Sequence, residues 1–242
     1  MNEAKYAEEK RFWKDEIQRY VNWYNGNCRE MYGVPKPSAG ERVISLGSIE
    51  LNAIETWIIK DKWRYCKHLF VSPSYFSGME VLEVGCGPLG LSRFFAGAMV
   101  TGLDPLHEWY KECGYPIGRN GITNVSAASE SMPFGDGSFD AIVSVNAIDH
   151  VDDFERSIAE CERVCKPDGE IRIEIHYHAK TVTEPVVLND DRVSAAFKKF
   201  NVMKIAENRS SLFYPRGTHP DTDRFALWSN RGSMFNAVEV LK

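Results

Sequence analysis

The stretch Val81-Leu82-Glu83-Val84-Gly85-Cys86-Gly87-Pro88-Leu89-Gly90 decides the fold. It begins as a short apolar run, which is typical of a buried strand, and continues directly into glycines spaced as Gly-x-Gly-x-x-Gly. Glycine at this position lets the chain turn tightly and lets a ligand approach the backbone. The stretch therefore predicts a strand, a ligand-binding turn and the start of a helix.

From about Met79 onward, short apolar runs alternate with helical patterns. A helix is predicted to start over Leu91–Ala96 and another to span Asp153–Cys165. The strand candidates are residues 79–84, 98–104, 125–127, 141–145 and 170–175, with 203–207 and 225–228 as last strands at an edge or antiparallel. Strands that alternate with helices favour an α/β fold, with a mostly parallel sheet covered on both faces.

Residues 1–78 have a different texture, rich in aromatics and helix formers. Apolar residues at three- and four-residue steps predict one helix around Phe12–Tyr24 and a second over about Ser48–Phe70, separated by the break Gly33–Gly40. The apolar sides are predicted to carry Phe12, Trp13, Ile17, Tyr20, Val21 and Tyr24, and Ile49, Ala53, Ile54, Trp57, Ile58 and Tyr65. We expect residues 1–78 to form a helical cap and 79–242 one compact ligand-binding unit, with these aromatics as core or as a cover over the site.

Composition narrows the function classes. The 242 residues are 43% hydrophobic and 26% charged, with a formal net charge of −5 and no long basic run, which disfavours a nucleic-acid partner. No stretch approaches the roughly 20 apolar residues of a membrane span, and the charged N-terminus has no signal-peptide core. The six cysteines show no Cys-x-x-Cys pair. Buried free thiols in a reducing cytoplasm are therefore expected.

Two kinds of cofactor could use the glycine turn. The spacing fits a dinucleotide, and Asp104, nineteen residues after Gly85, could hold the ribose of either cofactor. Glu83 separates them, because a carboxylate at the mouth of the site would repel a pyrophosphate. S-adenosylmethionine carries a sulfonium and an ammonium instead, which a carboxylate suits.

At this point the sequence resembles a known family. Residues 81–88 resemble motif I of the class I S-adenosylmethionine-dependent methyltransferases, and residues 102–105, 130–140 and 163–170 are similar to the later motifs in the same order. The resemblance implies a Rossmann-like, doubly wound, mostly parallel sheet of seven strands. It extends over about 90 residues and leaves the N-terminal third and the residues after 170 outside.

The resemblance also implies a cofactor site. The turn Gly85-Cys86-Gly87 would approach the methionine part of the cofactor, with Glu83 near its ammonium group. Asp104 would accept hydrogen bonds from the ribose. The remaining residues implied to line the cofactor are Pro105, Leu106, Ser129, Glu130 and Asn146. The family often has an aspartate where this chain has Ala128, so Ser129 or the backbone alone would read the adenine amino group.

The acceptor side of the site is predicted at the carboxyl ends of the fourth and fifth strands, where ligands of open α/β sheets gather. His150 is the candidate general base, because an imidazole titrates near neutral pH, and Asp149 could orient it. A histidine that only packs or binds backbone is the alternative.

A second polar cluster follows the fifth strand. Alternation puts Glu174, His176 and His178 on one face, where the histidines could bind substrate. A divalent ion, with Mg²⁺ held by an acceptor diol as the reasonable choice, would need Asp149 or Glu184 as a further ligand. A polar lid of solvated histidines is the alternative.

A fainter resemblance concerns the acceptor. Asp104-Pro105-Leu106, Tyr110, Tyr115-Pro116 and Asn146-x-x-Asp149-His150 look like methyltransferases of sugar and glycan biosynthesis, and the segment Tyr214–Asp221 could cover the acceptor. We therefore expect methyl transfer to a hydroxyl of a sugar or similar metabolite, by a cytoplasmic monomer or homodimer. The alternatives are N-methylation of a small molecule or protein, a nicotinamide-dependent oxidoreductase, and a subunit that binds the cofactor without turnover.

Overall fold

The computed structural model describes residues 3–198, 202–207 and 223–229, the last two as backbone strands only. The α-helices of this part are α1 Glu3–Tyr24, α2 Ile49–Lys60, α3 Arg64–His68, α4 His107–Glu112, α5 Phe154–Val164 and α6 Asp190–Ala196. Its strands are β1 Glu30–Met31, β2 Val34–Pro35, β3 Glu80–Val84, β4 Met99–Leu103, β5 Thr123–Val125, β6 Phe139–Val145, β7 Cys165–His176, β8 Val202–Glu207 and β9 Asp223–Ser229. Short 3₁₀ helices lie at Ala39–Glu41, Leu91–Phe94 and Ile148–His150.

One seven-stranded sheet organises the described chain, in the order β5-β4-β3-β6-β7-β9-β8. Each neighbouring pair among the first five strands is parallel. β9 pairs antiparallel with β7, and β8 pairs antiparallel with β9, as expected for the last two strands. The predicted α/β fold with a mostly parallel, doubly wound sheet is confirmed.

Both faces of the sheet are buried. Val81 and its neighbour Leu82 point to opposite sides, and each belongs to a different apolar cluster. The cluster around Val81 also contains Tyr20 of α1 and Trp57 of α2, so the N-terminal helices share a core with the sheet. The cluster around Leu82 contains Ile158 of α5. The division of the chain at residue 78 stays a prediction.

The prediction of an α-helix directly after the glycine turn is wrong. Leu91–Phe94 forms only a 3₁₀ turn, which begins after Gly90 in a left-handed conformation at φ +59°. Gly97, also left-handed at φ +76°, ends the segment. The six residues between these two glycines are too few for a stable α-helix. β4 therefore follows the turn almost at once.

The two predicted N-terminal helices need corrections. The run Ser48–Phe70 is two helices, because the chain leaves the helical conformation after α2 at Asp61. Ser48 does cap α2, accepting from the Leu51 amide at 3.2 Å. Phe12 and Ile49, predicted to pack inward, are 45% and 43% exposed.

Two further properties bear on the expectations from composition. Of the helices in the described part, none has the length and apolar character that a bilayer span needs. Four of the six cysteines are buried, whereas Cys28 is exposed and Cys113 half-buried, so the expectation of buried thiols is wrong for those two.

Candidate functional site

The glycine turn after β3 is shaped by contacts that exclude side chains. Gly85 has φ +70°, and a Cβ there would overlap the Cβ of Ala147. Its amide donates to the Leu103 carbonyl at 2.8 Å, which ties the turn to the end of β4. Gly87, at φ +57°, faces the Trp13 ring of α1. The turn thus presents bare backbone between the sheet edge and α1.

A cavity of about 730 Å³ opens at this turn. Its size lies within the range of small-molecule sites, and it sits at the carboxyl ends of β3, β4 and β6, where open α/β sheets bind ligands. Of the residues predicted to bind cofactor or act in catalysis, those that line the cavity are Gly85, Cys86, Gly87, Asp104, Pro105, Leu106, Ser129, Glu130, Asn146 and His150. Glu83, Asp149, His176 and His178 are not among its lining residues.

Asp104 anchors the turn from the end of β4. Its carboxylate accepts from the Gly87 amide at 3.1 Å and from the Leu106 amide at 2.9 Å. Burial raises the pKa of Asp104 to about 6, although both hydrogen bonds lower it. Asp104 therefore fixes the turn, and its buried carboxylate is poised for a polar ligand group.

Glu83 lies behind the turn. It is 1% exposed and accepts a hydrogen bond from the Ser92 hydroxyl, beside Tyr65. Burial raises the pKa of Glu83 to about 8, which makes the neutral carboxyl the main form at pH 7. The argument that Glu83 repels a pyrophosphate and suits a cationic cofactor requires the ionised carboxylate. A cation near Glu83 is therefore needed to lower its pKa and favour that form.

Cys86 forms a buried pair with His107. The His107 Nδ1 lies 3.0 Å from the Val125 carbonyl, so it donates there and leaves Nε2 to accept from the Cys86 thiol at 3.0 Å. Burial raises the pKa of Cys86 and lowers that of His107, which keeps both groups neutral. Cys86 and His107 therefore pack behind the turn as an uncharged pair.

Three predicted residues close the cavity on the side of β5 and β6. The Ser129 hydroxyl lies 2.9 Å from that of Ser157. Glu130 accepts from the Asp152 amide at 2.8 Å, which holds the loop before α5. Asn146 adopts the left-handed conformation at φ +49°, rare for a residue with a side chain. Such strain is typical of functional sites.

α1 forms the wall opposite the sheet, which the sequence did not predict in detail. Five of its lining residues follow each other at three- and four-residue steps, namely Lys5, Glu9, Trp13, Glu16 and Tyr20. The Lys5 ammonium donates to the His150 carbonyl at 2.7 Å and to Asp152 at 3.0 Å. The Tyr115 hydroxyl donates to the Trp13 carbonyl at 2.6 Å. Charged residues that share a helix face with aromatics were the signal for this wall.

His150 lies where α1 meets the sheet edge. Its Nδ1 is 2.8 Å from a Glu9 carboxylate oxygen, and its Nε2 is 3.7 Å from Glu184. Burial lowers the pKa of His150, but Glu9, Asp149 and Glu184 outweigh it and raise the pKa to about 9. The raised pKa favours the protonated form of His150 at neutral pH.

Asp149 and His178 lie behind His150. Asp149 is fully buried, and His178 Nε2 lies 3.7 Å from its carboxylate. The His178 Nδ1 donates to the Ala179 carbonyl at 2.7 Å. Of the residues predicted to share a face at the fifth strand, His176 stacks on His178 with ring centroids 5.6 Å apart, and the Glu174 carboxylate lies 2.6 Å from His68 Nδ1. The segment Tyr214–Asp221 lies outside the described residues.

The central part of the chain is similar in sequence to known methyltransferases. Residues 82–173 match the family model described as a methyltransferase domain. A sterol 24-C-methyltransferase of Gibberella zeae is 37% identical over 99 residues, which cover 38% of this chain and 26% of that protein. A fatty-acid O-methyltransferase of Mycolicibacterium smegmatis is 32% identical over 106 residues, or 42% of this chain and 39% of that protein. The chain thus spans well under half the length of these relatives.

The fold is shared with solved structures at low identity. An S-adenosylmethionine-dependent methyltransferase from Mesorhizobium loti superposes with a TM-score of 0.53 at 14% identity, over 71% of this chain and 99% of that chain. At this identity the likeness concerns the fold alone.

Proposed function

Because the chain carries a methyltransferase domain of the class I, S-adenosylmethionine-dependent family, we propose that it transfers a methyl group from S-adenosylmethionine to a small polar acceptor. One observation carries this proposal. One cavity is lined both by the glycine turn with Asp104 and by His150 with Glu184. It offers room for a donor and an acceptor side by side, and holding the reactants in line is the main contribution an enzyme makes to methyl transfer.

The donor end is the half near the turn. We propose that Gly85 to Gly87 meet the methionine part through their backbone, and that Asp104 accepts hydrogen bonds from the ribose. Pro105 and Leu106 would border the adenine, together with Ser129 and Glu130. All of these residues line the cavity, which supports the proposal. Glu83, behind the turn, would act on the ammonium group through the turn or through water.

At the acceptor end, the finer proposal is a hydroxyl group of a sugar or similar metabolite, with His150 as the general base. With its Nδ1–H donated to Glu9, a neutral His150 leaves Nε2 to accept a proton, as in bases that a carboxylate orients. Asp149, directly before it in the chain, adds negative charge beside the ring. The base form requires loss of the proton that these carboxylates hold on the ring.

A second candidate acceptor is an amine. Seven carboxylate residues line the cavity against four lysines and arginines. Carboxylates attract a protonated amine, and the aromatic rings of Trp13 and Tyr20 on the same wall can contact a cation. The match of residues 82–173 to a methyltransferase domain argues against the alternative of a nicotinamide-dependent oxidoreductase.

The test is a transfer screen with S-adenosylmethionine labelled in its methyl group, across sugars, small hydroxylated metabolites and amines, with and without Mg²⁺. His150→Ala should keep cofactor affinity in calorimetry and lose turnover. Glu112→Gln, at an exposed position of α4, serves as the control with unchanged turnover. Full activity of His150→Ala would show that another group removes the acceptor proton. Cofactor binding without transfer to any acceptor would favour a non-catalytic subunit.

A further inference from the structure

A cluster of potential metal ligands lies at the wall of the acceptor end of the cavity, with Asp149 behind the lining residues His150 and Glu184. Asp149 and His150 come from the 3₁₀ turn after β6, and Glu184 comes from the segment after β7. One ligand atom of each lies within 4.8 Å of the others. Two adjacent strand ends therefore bring one imidazole and two carboxylates to a common point.

The buried atoms of this cluster lack hydrogen bonds. Neither carboxylate oxygen of the fully buried Asp149 lies within hydrogen-bond distance of a described residue, since its ion-pair partner His178 is 3.7 Å away, and Nε2 of His150 likewise makes no hydrogen bond among the described residues. The 3.7 Å from that Nε2 to the Glu184 carboxylate is too long for a hydrogen bond. Unpaired buried groups of this kind are costly, and a cation among them would satisfy all three residues at once.

Neighbouring groups turn the ligand atoms toward the common point. The Glu9 carboxylate accepts from Nδ1 of His150, so a metal that displaces the proton from Nε2 would bind there, as in the carboxylate–histidine–metal arrangement of many sites. The Thr181 hydroxyl donates to one Glu184 oxygen at 2.9 Å and leaves the other for the cluster. His178 stands beside Asp149 as a second imidazole.

We propose that Asp149, His150 and Glu184 bind a divalent transition-metal ion, such as Mn²⁺, Fe²⁺ or Zn²⁺. An imidazole nitrogen with two carboxylates suits these ions better than Mg²⁺ or Ca²⁺, which prefer ligand sets made of oxygen. Two carboxylates also balance the charge of a divalent ion in a buried site. The donor set therefore argues for a transition metal in place of the magnesium predicted from the sequence.

The binding itself does not depend on the proposed methyl transfer. His150 and Glu184 line the cavity, so an ion held by them would face the acceptor space. If methyl transfer to a hydroxyl is right, such an ion would lower the pKa of the bound hydroxyl. His150 would then act as a ligand, and it would no longer be the general base.

The experiment measures metal binding to the whole chain. Protein stripped with a chelator is dialysed against Mn²⁺, Zn²⁺ or Mg²⁺, and the bound metal is counted by mass spectrometry and titrated by calorimetry. We expect one equivalent of Mn²⁺ or Zn²⁺, and a loss of affinity of at least about tenfold in Glu184→Gln. Glu112→Gln, the exposed control, should bind as the unaltered chain does. The electron paramagnetic resonance spectrum of bound Mn²⁺ should also change in Glu184→Gln.

Each outcome decides the proposal. No stoichiometric binding of Mn²⁺ or Zn²⁺ below about 100 µM would overturn it, as would equal affinities in the unaltered chain, Glu184→Gln and Asp149→Asn. Glu184 is only half-buried, so its variant should fold even if Asp149→Asn does not. S-adenosylmethionine is titrated into the same samples. Metal binding without binding of S-adenosylmethionine would contradict the proposed function alone. Binding of S-adenosylmethionine without metal binding would contradict the metal site alone.

Discussion

Replacing Glu83 by glutamine tests how the buried carboxyl behind the glycine turn is charged. Glutamine keeps the shape of the side chain and an oxygen that can accept from Ser92, but it cannot ionise. In the folded chain, burial raises the pKa of Glu83 from its ordinary value of 4.5 to about 8. The unfolded chain has no such burial, so the two states bind different numbers of protons between these values.

The size of the effect follows from this difference. One pKa unit corresponds to about 1.4 kcal/mol, so the full range corresponds to about 5 kcal/mol, of which about 4 kcal/mol falls between pH 5 and pH 9. Because the folded-state pKa is the higher one, the contribution to stability is complete below pH 4.5 and is lost as the pH rises through 8. The unaltered chain should therefore lose stability relative to Glu83→Gln as the pH rises.

The assay is urea unfolding at pH 5, 7 and 9, followed by circular dichroism. The quantity of interest is the difference in unfolding free energy between the variant and the unaltered chain at each pH, which cancels the other titrating groups. That difference should shift by about 4 kcal/mol in favour of Glu83→Gln. Glu112→Gln, at an exposed site of α4, serves as the control for removal of a carboxylate from the surface.

A shift below about 1 kcal/mol for Glu83→Gln would refute the reasoning. It would mean that Glu83 is already ionised in the folded chain, held by partners stronger than the Ser92 and Tyr65 hydroxyls. The charge argument for a cationic cofactor would then apply without any change of protonation.

Three further predictions concern the donor end. Asp104→Ala removes the acceptor of the Gly87 and Leu106 amides, so S-adenosylmethionine affinity in calorimetry should fall by about 100-fold, and an unchanged affinity would contradict the pocket assignment. Gly85→Ala should lower the unfolding free energy by roughly 1–3 kcal/mol in urea unfolding, because its Cβ would overlap Ala147. Gly114→Ala is the control, since Gly114 is also left-handed but has open space around it, and it should lower the unfolding free energy by less. Cofactor binding at pH 7 should release up to about one proton, because a nearby ammonium favours ionised Glu83, and calorimetric heats that do not vary with the buffer would exclude this.

The parts of the fold that sequence predicts well are local. The apolar run of β3 and the glycines after it lie within ten residues, and each glycine of the turn is needed for its own backbone conformation. The parallel strands followed from the same kind of short-range pattern. The 3₁₀ turn at Leu91–Phe94 is harder to predict, because helix length there is limited by Gly97, which is left-handed and leaves no room for a side chain beside Ser77.

The acceptor side depends on contacts between distant parts of the chain. His150 was identified from its place after the fourth strand, but its partner Glu9 is 141 residues away, and no pattern in the sequence pairs them. Lys5 and Glu16 are buried against expectation, since their burial requires partners that only the folded chain supplies. The carboxylates that set the charge of His150 could not be read from the sequence for the same reason.

The position of α1 sets the conditions under which any ligand enters or leaves. Three hydrogen bonds hold α1 across the cavity. Lys5 donates to the His150 carbonyl, the Glu9 carboxylate accepts from the His150 ring, and the Trp13 carbonyl accepts from the Tyr115 hydroxyl. A molecule seated against the glycine turn would contact this helix as well as the sheet edge. Weakening these three contacts should therefore change the rate at which a ligand leaves, and product release limits turnover in many enzymes.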